Sequence, residues 1–314
     1  MSTDLLGIHH VTAIASETQR NVDFYTGLLG LRLVKVTVNF DDPGSYHLYY
    51  GDEVGHPGTI LTFFAWPGAR RGRAGTGQLS AVAFTIPLAS LDYWIQRLRT
   101  AGTLHQGPST SLGESVLLLH DPDGMAIELI AHPRAEERPG WIGGLVPAEH
   151  AIRGVHSVTV WEEGYEHTVR HLTETLGFRL VAEEQNVSRY EVGAGGPGAL
   201  IRVRCAPEFL RGTMGAGSIH HVAWRAATDE EQLTWRETLS LQGVDVTPIL
   251  DRQYFHSIYF REPGGVLFEI ATDPPGFTID EPVERLGSQL KLPPWLEPAR
   301  GEIEQVLPPF PHAV

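Results

Sequence analysis

Two pairs of adjacent histidines are the residues of this chain best suited to chemistry. His9 and His10 lie in GIHHVTAI near the start, and His220 and His221 lie in SIHHVAW much further along. A carboxylate, Glu269, follows the second pair in REPGGVLFEIA. Two imidazoles and one carboxylate, with coordination positions left open, are the ligand set of non-haem Fe(II) oxygenases, and the same residue types also bind Mn(II) or Zn(II). The residues therefore predict a transition-metal site.

Four similar segments must position these residues. The first of them predicts a strand at about 8–15, a helix that begins at Ser16 or Thr18 and ends at Gly30, and three further strands. The same βαβββ order returns three times, so the sequence predicts four modules, at about 7–66, 78–132, 153–204 and 217–272. Units of this size cannot bury a sheet face alone and must pack against one another. We expect an α+β fold in which curled mixed sheets enclose a metal-binding cavity.

The remaining strands and the domain boundaries follow from the same patterns. The strands are expected near 31–39, 46–51 and 59–66, then 104–106, 115–120 and 125–131, then 179–185, 188–192 and 199–204, and finally 246–250, 256–261 and 265–271. A segment with Pro, Gly and charge at 131–150 predicts a boundary between an N-terminal half, 1–147, and a C-terminal half, 148–272. The proline-rich tail, 273–314, predicts extended chain that packs on the body.

The modules differ where a metal would bind. Aligned by their first strands, the paired positions read His9–His10, Ser80–Ala81, His156–Ser157 and His220–His221. In the last strands a carboxylate occurs in module four (Glu269) and module two (Glu128), but not in GTILTFFAW or GALIRVRC of the other two. If first and last strands share a cavity, modules one and four supply His10, His221 and Glu269, whereas modules two and three supply Glu128 alone. One cavity is therefore expected to hold a metal and the other is not.

Residues beside the predicted ligands have expected positions too. Adjacent strand residues point to opposite faces, so His9 and His220 are expected behind the site unless the strand bends, holding neighbouring groups by hydrogen bonds. Tyr259 lies ten residues before Glu269 with a Pro-Gly-Gly turn between them, which predicts adjacent antiparallel strands. Together with Arg252, Tyr259 would bring a phenol and a cation near the metal.

Composition and charge exclude several classes of protein. The net charge is −14 and the only basic cluster is ARRGRAG at 69–75, which argues against nucleic acid or an anionic membrane as partner. The single cysteine, Cys205, excludes a disulfide framework and suits a reducing compartment. No apolar run is long enough to span a membrane and no export signal is evident, so a cytoplasmic location is expected. GAGGPG at 193–198 joins two predicted strands and indicates a turn rather than a nucleotide-binding loop.

The chain resembles the vicinal oxygen chelate superfamily, which includes glyoxalase I and the extradiol dioxygenases. The resemblance is carried by the four βαβββ modules, by HHV in the first strand and by REPGGVLFEIA in the last. More narrowly, FYTGLLGLRLVKVTVNFDDP, YHLYYGDEVGHPGTILTFF and DRQYFHSIYFREPGGVLFEIATDPPGF are similar to the hydroquinone ring-cleaving dioxygenases of the dichlorohydroquinone 1,2-dioxygenase type. The similarity covers nearly the whole chain, tail included.

The resemblance implies an Fe(II)-dependent enzyme whose partners are a small aromatic 1,4-diol and O2, and whose reaction opens the aromatic ring. It implies iron ligands at His10, His221 and Glu269, neighbouring residues at His9, His220 and Thr12, and substrate-pocket residues at Arg252 and Tyr259. The preferred ring substituents and the oligomeric state, monomer or homo-oligomer, stay open.

Three other functions also stay open. A glyoxalase-type isomerase or thiol transferase would use zinc or nickel and a fourth protein ligand, which GTILTFFAW does not supply. A catechol extradiol dioxygenase would share the ligand set but chelate its substrate through two hydroxyl groups. A metal-free protein that binds small aromatic compounds would have no need for all three ligands.

Overall fold

The computed structural model describes residues 4–313, and its strands form two eight-stranded sheets. Each sheet combines two modules whose first strands pair antiparallel at the centre. The first sheet contains the first and last modules of the chain, and the second sheet contains the two middle modules. The predicted pairing of modules is confirmed, and so is the α+β fold built from mixed sheets.

Sixteen strands within the described part of the chain make up the two sheets. They are β1 (Ile8–Ala15), β2 (Arg32–Asn39), β3 (Asp42–Gly51), β4 (Ile60–Ala65), β5 (Gln78–Ile86), β6 (His105–Ser111), β7 (Glu114–His120), β8 (Ala126–Ala131), β9 (Val155–Glu162), β10 (Arg179–Glu184), β11 (Val187–Glu191), β12 (Leu200–Cys205), β13 (Ile219–Ala226), β14 (Leu250–Asp251), β15 (Phe255–Arg261) and β16 (Leu267–Pro275). The first sheet has the order β14-β15-β16-β13-β1-β4-β3-β2, and the second has the order β10-β11-β12-β9-β5-β8-β7-β6. Both sheets therefore place the last strand of each module beside its first strand.

The helices cover the sheets and close the core. They are α1 (Thr18–Val22), α2 (Leu91–Thr100), α3 (Glu166–Arg170), α4 (Asp229–Leu241) and α5 (Arg300–Val306), with π-helical turns at Asp23–Leu28 and His171–Thr175 and 3-10 turns at Leu88–Ser90, Pro133–Glu137, Phe277–Ile279, Val283–Arg285 and Glu297–Ala299. The first helical segment ends as predicted, because Gly30 has a φ of 68° that disfavours other residues. Buried Tyr25, Trp94 and Trp224 belong to one apolar core that both sheets share. Within residues 4–313, no helix has the length and apolar character needed to cross a membrane.

One predicted strand is largely absent. The strand expected at 246–250 is reduced to β14, and Val246 makes only an isolated bridge to Phe260. Pro248 interrupts this segment, and proline has no N–H group for a ladder hydrogen bond. The local apolar pattern therefore predicted a longer strand than the chain forms.

The tail is less extended than the prolines predicted. It forms 3-10 turns and helix α5, where Arg300 pairs with Glu304 one turn later (2.9 Å) and so supports a short helix. The tail also contacts the first sheet through charge. The fully buried Lys35 on β2 places its Nζ 2.5 Å from Asp280 Oδ1 and 2.5 Å from Glu281 Oε2. Because a buried ammonium is costly unless paired, this contact holds the tail to the first sheet.

Candidate metal centre

Three side chains meet inside the first sheet. His10 lies on β1 and His221 on β13, the antiparallel strands at its centre, and Glu269 lies on β16 beside β13. The two Nε2 atoms of His10 and His221 lie 3.4 Å apart. Glu269 Oε2 lies 3.3 Å from the first of them and 2.9 Å from the second. The fold therefore brings together the three residues predicted as ligands, and all three are buried.

These donor atoms fit a transition metal. Metal bonds to imidazole nitrogen and carboxylate oxygen are about 2.0–2.2 Å long, so ligands at right angles lie about 3.0 Å apart, close to the spacing of these atoms. Glu269 Oε2 is buried and has no hydrogen-bond partner within residues 4–313, which suits an atom that binds a cation. No fourth His, Cys, Asp or Glu of the described chain joins this group. A metal held here would keep open coordination positions.

The first histidine of each pair contacts the second. His9 Nδ1 lies 2.9 Å from His10 Nδ1, and His220 Nδ1 lies 2.8 Å from His221 Nδ1. The β1–β13 pairing is irregular at both places, and such a bulge re-aims a side chain that regular pleating would turn away. The strands thus bend, which is the condition under which both imidazoles of a pair can lie near one site.

The contacts between the paired imidazoles determine which nitrogens face the cavity. When His10 and His221 donate their Nδ1 protons to the neighbouring rings, their Nε2 lone pairs are free for a metal. Burial and the neighbouring His10 lower the pKa of His9 well below its usual range. Burial and His221 lower the pKa of His220 to about 3. Both acceptor rings are therefore neutral at neutral pH, as these hydrogen bonds require.

Glu269 is held as a carboxylate in the same place. Burial acts to raise its pKa, but positive charge on His10 and His221, when their Nε2 atoms carry protons, outweighs burial and holds the pKa well below the usual range. A cation bound between the same atoms would act in the same direction. Its other oxygen, Oε1, accepts a hydrogen bond of 2.5 Å from the Ser257 hydroxyl. Ser257 thereby orients the carboxylate so that Oε2 faces the two imidazoles.

A small cavity of about 30 Å³ lies against this group. Tyr259 lines it and pairs with Glu269 across β15 and β16, which confirms the predicted antiparallel neighbours. Arg252 Nε donates a hydrogen bond of 3.3 Å to the Tyr259 hydroxyl oxygen, and Arg252 Nη2 lies 3.1 Å from Asp41 Oδ2. Burial raises the pKa of Tyr259, so its hydroxyl stays protonated and free to donate into the cavity. The space suffices for about two water molecules.

Sequence analysis missed His47 and Tyr49, which form another wall of the cavity. Thr62 donates a hydrogen bond to Thr12 (2.9 Å), so the Thr62 oxygen accepts from His47 Nε2 (2.8 Å). The other ring nitrogen, Nδ1, then accepts from the Tyr49 hydroxyl (2.9 Å). Burial, reinforced by His10, lowers the pKa of His47 well below its usual range. The alternation of His47 and Tyr49 in YHLYY was the signal that could have placed both on one strand face.

The last strands explain why this group has three members. Ala223 follows His221 by two residues and pairs with Glu269 on β16. Thr12 follows His10 by two residues and pairs with Thr62 on β4. Thr62 therefore occupies the position related to that of Glu269, where a fourth ligand would stand. Its hydroxyl proton is already donated to Thr12, so the residue completes a polar wall instead.

The second sheet has different residues at the same positions. They are Ser157, Ala81, Glu128 and Arg202, in the places of His10, His221, Glu269 and Thr62. Arg202 Nη2 forms an ion pair with Glu128 Oε2. A guanidinium group therefore neutralises the one carboxylate that sequence analysis found there.

Another pair of histidines meets a carboxylate elsewhere in the second sheet. His132, His156 and Glu114 offer atoms within 4.8 Å of one another. However, His132 Nδ1 accepts a hydrogen bond of 3.1 Å from the backbone N–H of Arg134, so the ring proton lies on the Nε2 that faces Glu114. Arg189 also binds this carboxylate at 2.6 Å. Hydrogen bonds and an ion pair satisfy His156 and Glu114, and His132 has no lone pair to offer a metal.

Comparisons with known proteins agree with this architecture. Residues 7–129 and 154–270 match the model of the family described as "Glyoxalase/Bleomycin resistance protein/Dioxygenase superfamily". A Bacillus subtilis (strain 168) protein named "Putative ring-cleaving dioxygenase MhqO" is 45% identical over 99% of this chain and 98% of its own length. A "Chlorohydroquinone/hydroquinone 1,2-dioxygenase" of Sphingobium indicum is 34% identical over 95% of this chain and 94% of its own.

Solved structures share this architecture. A crystal structure of a "putative dioxygenase from Bacillus subtilis" superposes with a TM-score of 0.92 at 44% identity and covers 98% of both chains. Glyoxalase I from Zea mays shares the fold alone, with a TM-score of 0.63 at 14% identity over 87% of this chain and 93% of its own. The chain belongs to the glyoxalase/bleomycin resistance protein/dioxygenase superfamily.

Proposed function

We propose that this protein is an Fe(II)-dependent ring-cleaving dioxygenase that opens hydroquinone-type rings, which are 1,4-diols, with O2. The observation that carries the proposal is the group of His10, His221 and Glu269, whose donor atoms lie 2.9–3.4 Å apart and lack a fourth ligand among the described residues. The names of two relatives support the reaction class, because one is named "Putative ring-cleaving dioxygenase MhqO" and the other "Chlorohydroquinone/hydroquinone 1,2-dioxygenase".

Iron bound at these ligands would lower the pKa of a phenol and allow O2 to react with a closed-shell ring. The overall reaction joins one diol and one O2, breaks one ring C–C bond and leaves both oxygen atoms in the opened acid. The protein has to bind the diol beside the ligands and stabilise negative charge as it develops on oxygen.

Tyr259 and Arg252 are suited to that second task. Arg252 donates to the Tyr259 oxygen, which leaves the phenol proton of Tyr259 available for an oxygen of the substrate. The guanidinium lies 5.4 Å from the centre of the Tyr259 ring and adds positive charge near the same place. Donors fixed before the reaction stabilise a developing oxyanion most effectively. The chain from Tyr49 through His47 and Thr62 to Thr12 fixes the opposite polar wall.

Substrate entry requires movement at the cavity mouth. The free space of about 30 Å³ holds about two waters, which is less than an aromatic ring needs. Asp41, whose side chain is 73% exposed, closes the mouth through its ion pair with Arg252. Because water solvates the Asp41 carboxylate, this ion pair contributes less free energy than a fully buried one, and we expect it to open when a diol enters.

The alternatives fit the site less well. A glyoxalase-type isomerase would need a carboxylate where Thr62 stands, and Thr62 donates its proton to Thr12. A catechol would place both hydroxyl groups on the metal, so that donors set across the ring would have no oxygen to bind. A metal-free binding protein would leave the buried Oε2 of Glu269 without a partner.

Oxygen uptake by anaerobically purified protein loaded with Fe(II) tests the proposal. Chlorohydroquinone and methylhydroquinone should each consume one O2 per ring and lose the aromatic absorption band, while catechol should turn over poorly. Protein loaded with Zn(II) is the matched control and should consume no O2. Rapid cleavage of catechol without turnover of any hydroquinone would assign the protein to the catechol branch. Isomerisation of a hemithioacetal without O2 uptake would assign it to the glyoxalase branch.

A further inference from the structure

The second sheet encloses a cavity of about 510 Å³, far larger than the space beside the metal ligands. Its volume lies within the range of small-molecule binding sites in proteins. Glu128 and Arg202, which occupy the positions of Glu269 and Thr62 in the first sheet, form part of its wall. A ligand-sized space therefore lies beside this ion pair in the second sheet.

Arginine dominates the charge of this cavity. Arg202 on β12 is 5% exposed, Arg204 lies two residues further along the same strand face, and Arg71 is exposed at the rim. Two carboxylates face these three cations. Glu128 is paired with Arg202, and Asp123 accepts two hydrogen bonds from Ser16. The cavity thus carries an excess of positive charge in a protein whose net charge is −14.

Several buried polar atoms of the wall lack a partner. Arg202 Nε, Arg204 Nε and Thr159 Oγ1 are buried and form no hydrogen bond with any described residue. These atoms have almost no accessible surface, so a ligand in the cavity would be held by the Nη atoms of the two guanidinium groups, and Arg204 has no ion-pair partner among the described residues. A carboxylate matches the two guanidinium groups best, because its oxygens accept charge-assisted hydrogen bonds from arginine.

The rest of the wall suits the body of an organic molecule. The Arg204 guanidinium lies 5.0 Å from the centre of the Trp161 ring, so the cation and an aromatic surface stand side by side. Leu79, Leu118 and Met125 add apolar surface. We propose that this cavity binds a small organic carboxylate, with Arg204 and Arg202 holding the carboxylate and Trp161 contacting its apolar or aromatic body.

Titration calorimetry with benzoate tests this proposal on the full-length protein. Benzoate should bind saturably, and benzamide, which has the same shape without the charge, should bind at least about tenfold more weakly, a difference of about 1.4 kcal/mol. Sorbate, an open-chain unsaturated acid, is the comparison for ligand type. Tighter binding of benzoate would assign an aromatic acid to the cavity, and tighter binding of sorbate would assign an open-chain acid.

Variants with one arginine changed in each cavity locate the binding. Arg204→Gln should weaken benzoate binding about tenfold or more, whereas Arg204→Lys, which keeps the charge, should recover most of it. Arg252→Gln, in the cavity of the first sheet, should leave benzoate binding unchanged. Thermal unfolding of each variant checks that it folds. Absence of saturable binding, equal binding of benzamide, or weakening by Arg252→Gln but not by Arg204→Gln would each overturn the proposal.

Discussion

The two sheets are built alike, yet they neutralise the carboxylate of a last strand in different ways. In the first sheet, Glu269 faces two imidazoles and its Oε2 has no hydrogen-bond partner within the described chain. In the second sheet, Glu128 meets the guanidinium of Arg202. A buried carboxylate requires a nearby cation. The second sheet supplies the cation from its own sequence, as Arg202. The first sheet instead provides ligands that are suited to a metal.

The strand irregularities do not distinguish the sheets. The central pairing shifts register at His9 and His220 in the first sheet, and it shifts at Ser80 and His156 in the second. The bulges are therefore present with and without a pair of histidines. The backbone geometry belongs to the fold, and the side chains at a few positions decide whether it becomes a metal site.

The largest effect should come from removing a ligand. His10→Ala, His221→Ala or Glu269→Gln should each remove most of the iron and nearly all activity, because each deletes one of only three donor atoms. Glu128→Gln is the matched control in the second sheet and should leave iron content and oxygen uptake unchanged. Metal analysis and oxygen uptake on each variant make this comparison. Iron loss from Glu128→Gln together with a loaded Glu269→Gln protein would reverse the assignment of the sheets.

Tyr259→Phe should be the next largest change. Removing one fixed donor to a developing oxyanion costs about 10²–10³-fold in kcat, and the ring is kept, so KM should change much less. Tyr190→Phe in the second sheet is the control and should leave both constants unaltered. An unchanged kcat for Tyr259→Phe would show that its hydroxyl takes no part in the chemical step.

The outer histidines should matter less than the ligands. His9→Phe or His220→Asn should retain iron but slow turnover about 10–100-fold, as is typical when the hydrogen-bond partner of a ligand is lost. Iron content and kcat measured on the same preparations separate the two effects. Complete loss of iron from either variant, with His10 or His221 dispensable, would mean that the other member of the pair binds the metal.

The smallest effect concerns stability where the sheets adjoin. Burial and the nearby Glu262 raise the pKa of Glu162, at the end of β9, from 4.5 to about 8. The folded chain therefore keeps this proton between about pH 4.5 and 8 while the unfolded chain releases it, so stability decreases as pH rises through that window. Glu162→Gln should remove this loss of unfolding free energy, which is on the order of 2–4 kcal/mol. At pH 5 the variant and the wild type should have the same unfolding free energy.

Urea unfolding at pH 5 and pH 9 measures that change, with Glu163→Gln as the exposed neighbour for control. The wild type and Glu163→Gln should lose stability together at pH 9, and Glu162→Gln should not. An identical pH dependence in all three proteins would show that Glu162 ionises normally in the folded state.

Local patterns were enough to predict the modules and the three metal-binding candidates. Each module repeats one order of strands and helix, and His10, His221 and Glu269 lie in short segments with distinctive neighbours. The importance of Arg202 was not predictable in this way, because it depends on β12 lying beside β9 and on contact with Glu128 in another module. His47 was missed for a similar reason, since only the pairing of β3 with β4 brings it to Thr62.

Other errors came from local signals that were given too much weight. The apolar residues at 246–250 predicted a strand that Pro248 prevents. The prolines of the tail predicted extended chain, and the ion pair that supports helix α5 was overlooked. The strand bulges at the histidine pairs have no local signature at all, because a register shift is a property of two strands. Long-range pairing is therefore the main part of this site that sequence patterns leave undetermined.

The location of the metal tests the central claim most directly. Crystals of iron-loaded protein, measured at the iron absorption edge, should give one anomalous peak per chain, about 2.0–2.2 Å from His10 Nε2, His221 Nε2 and Glu269 Oε2. The account predicts no peak beside Glu128 and none between His132 and His156. A peak at either of those places, or none among the three predicted ligands, would contradict it.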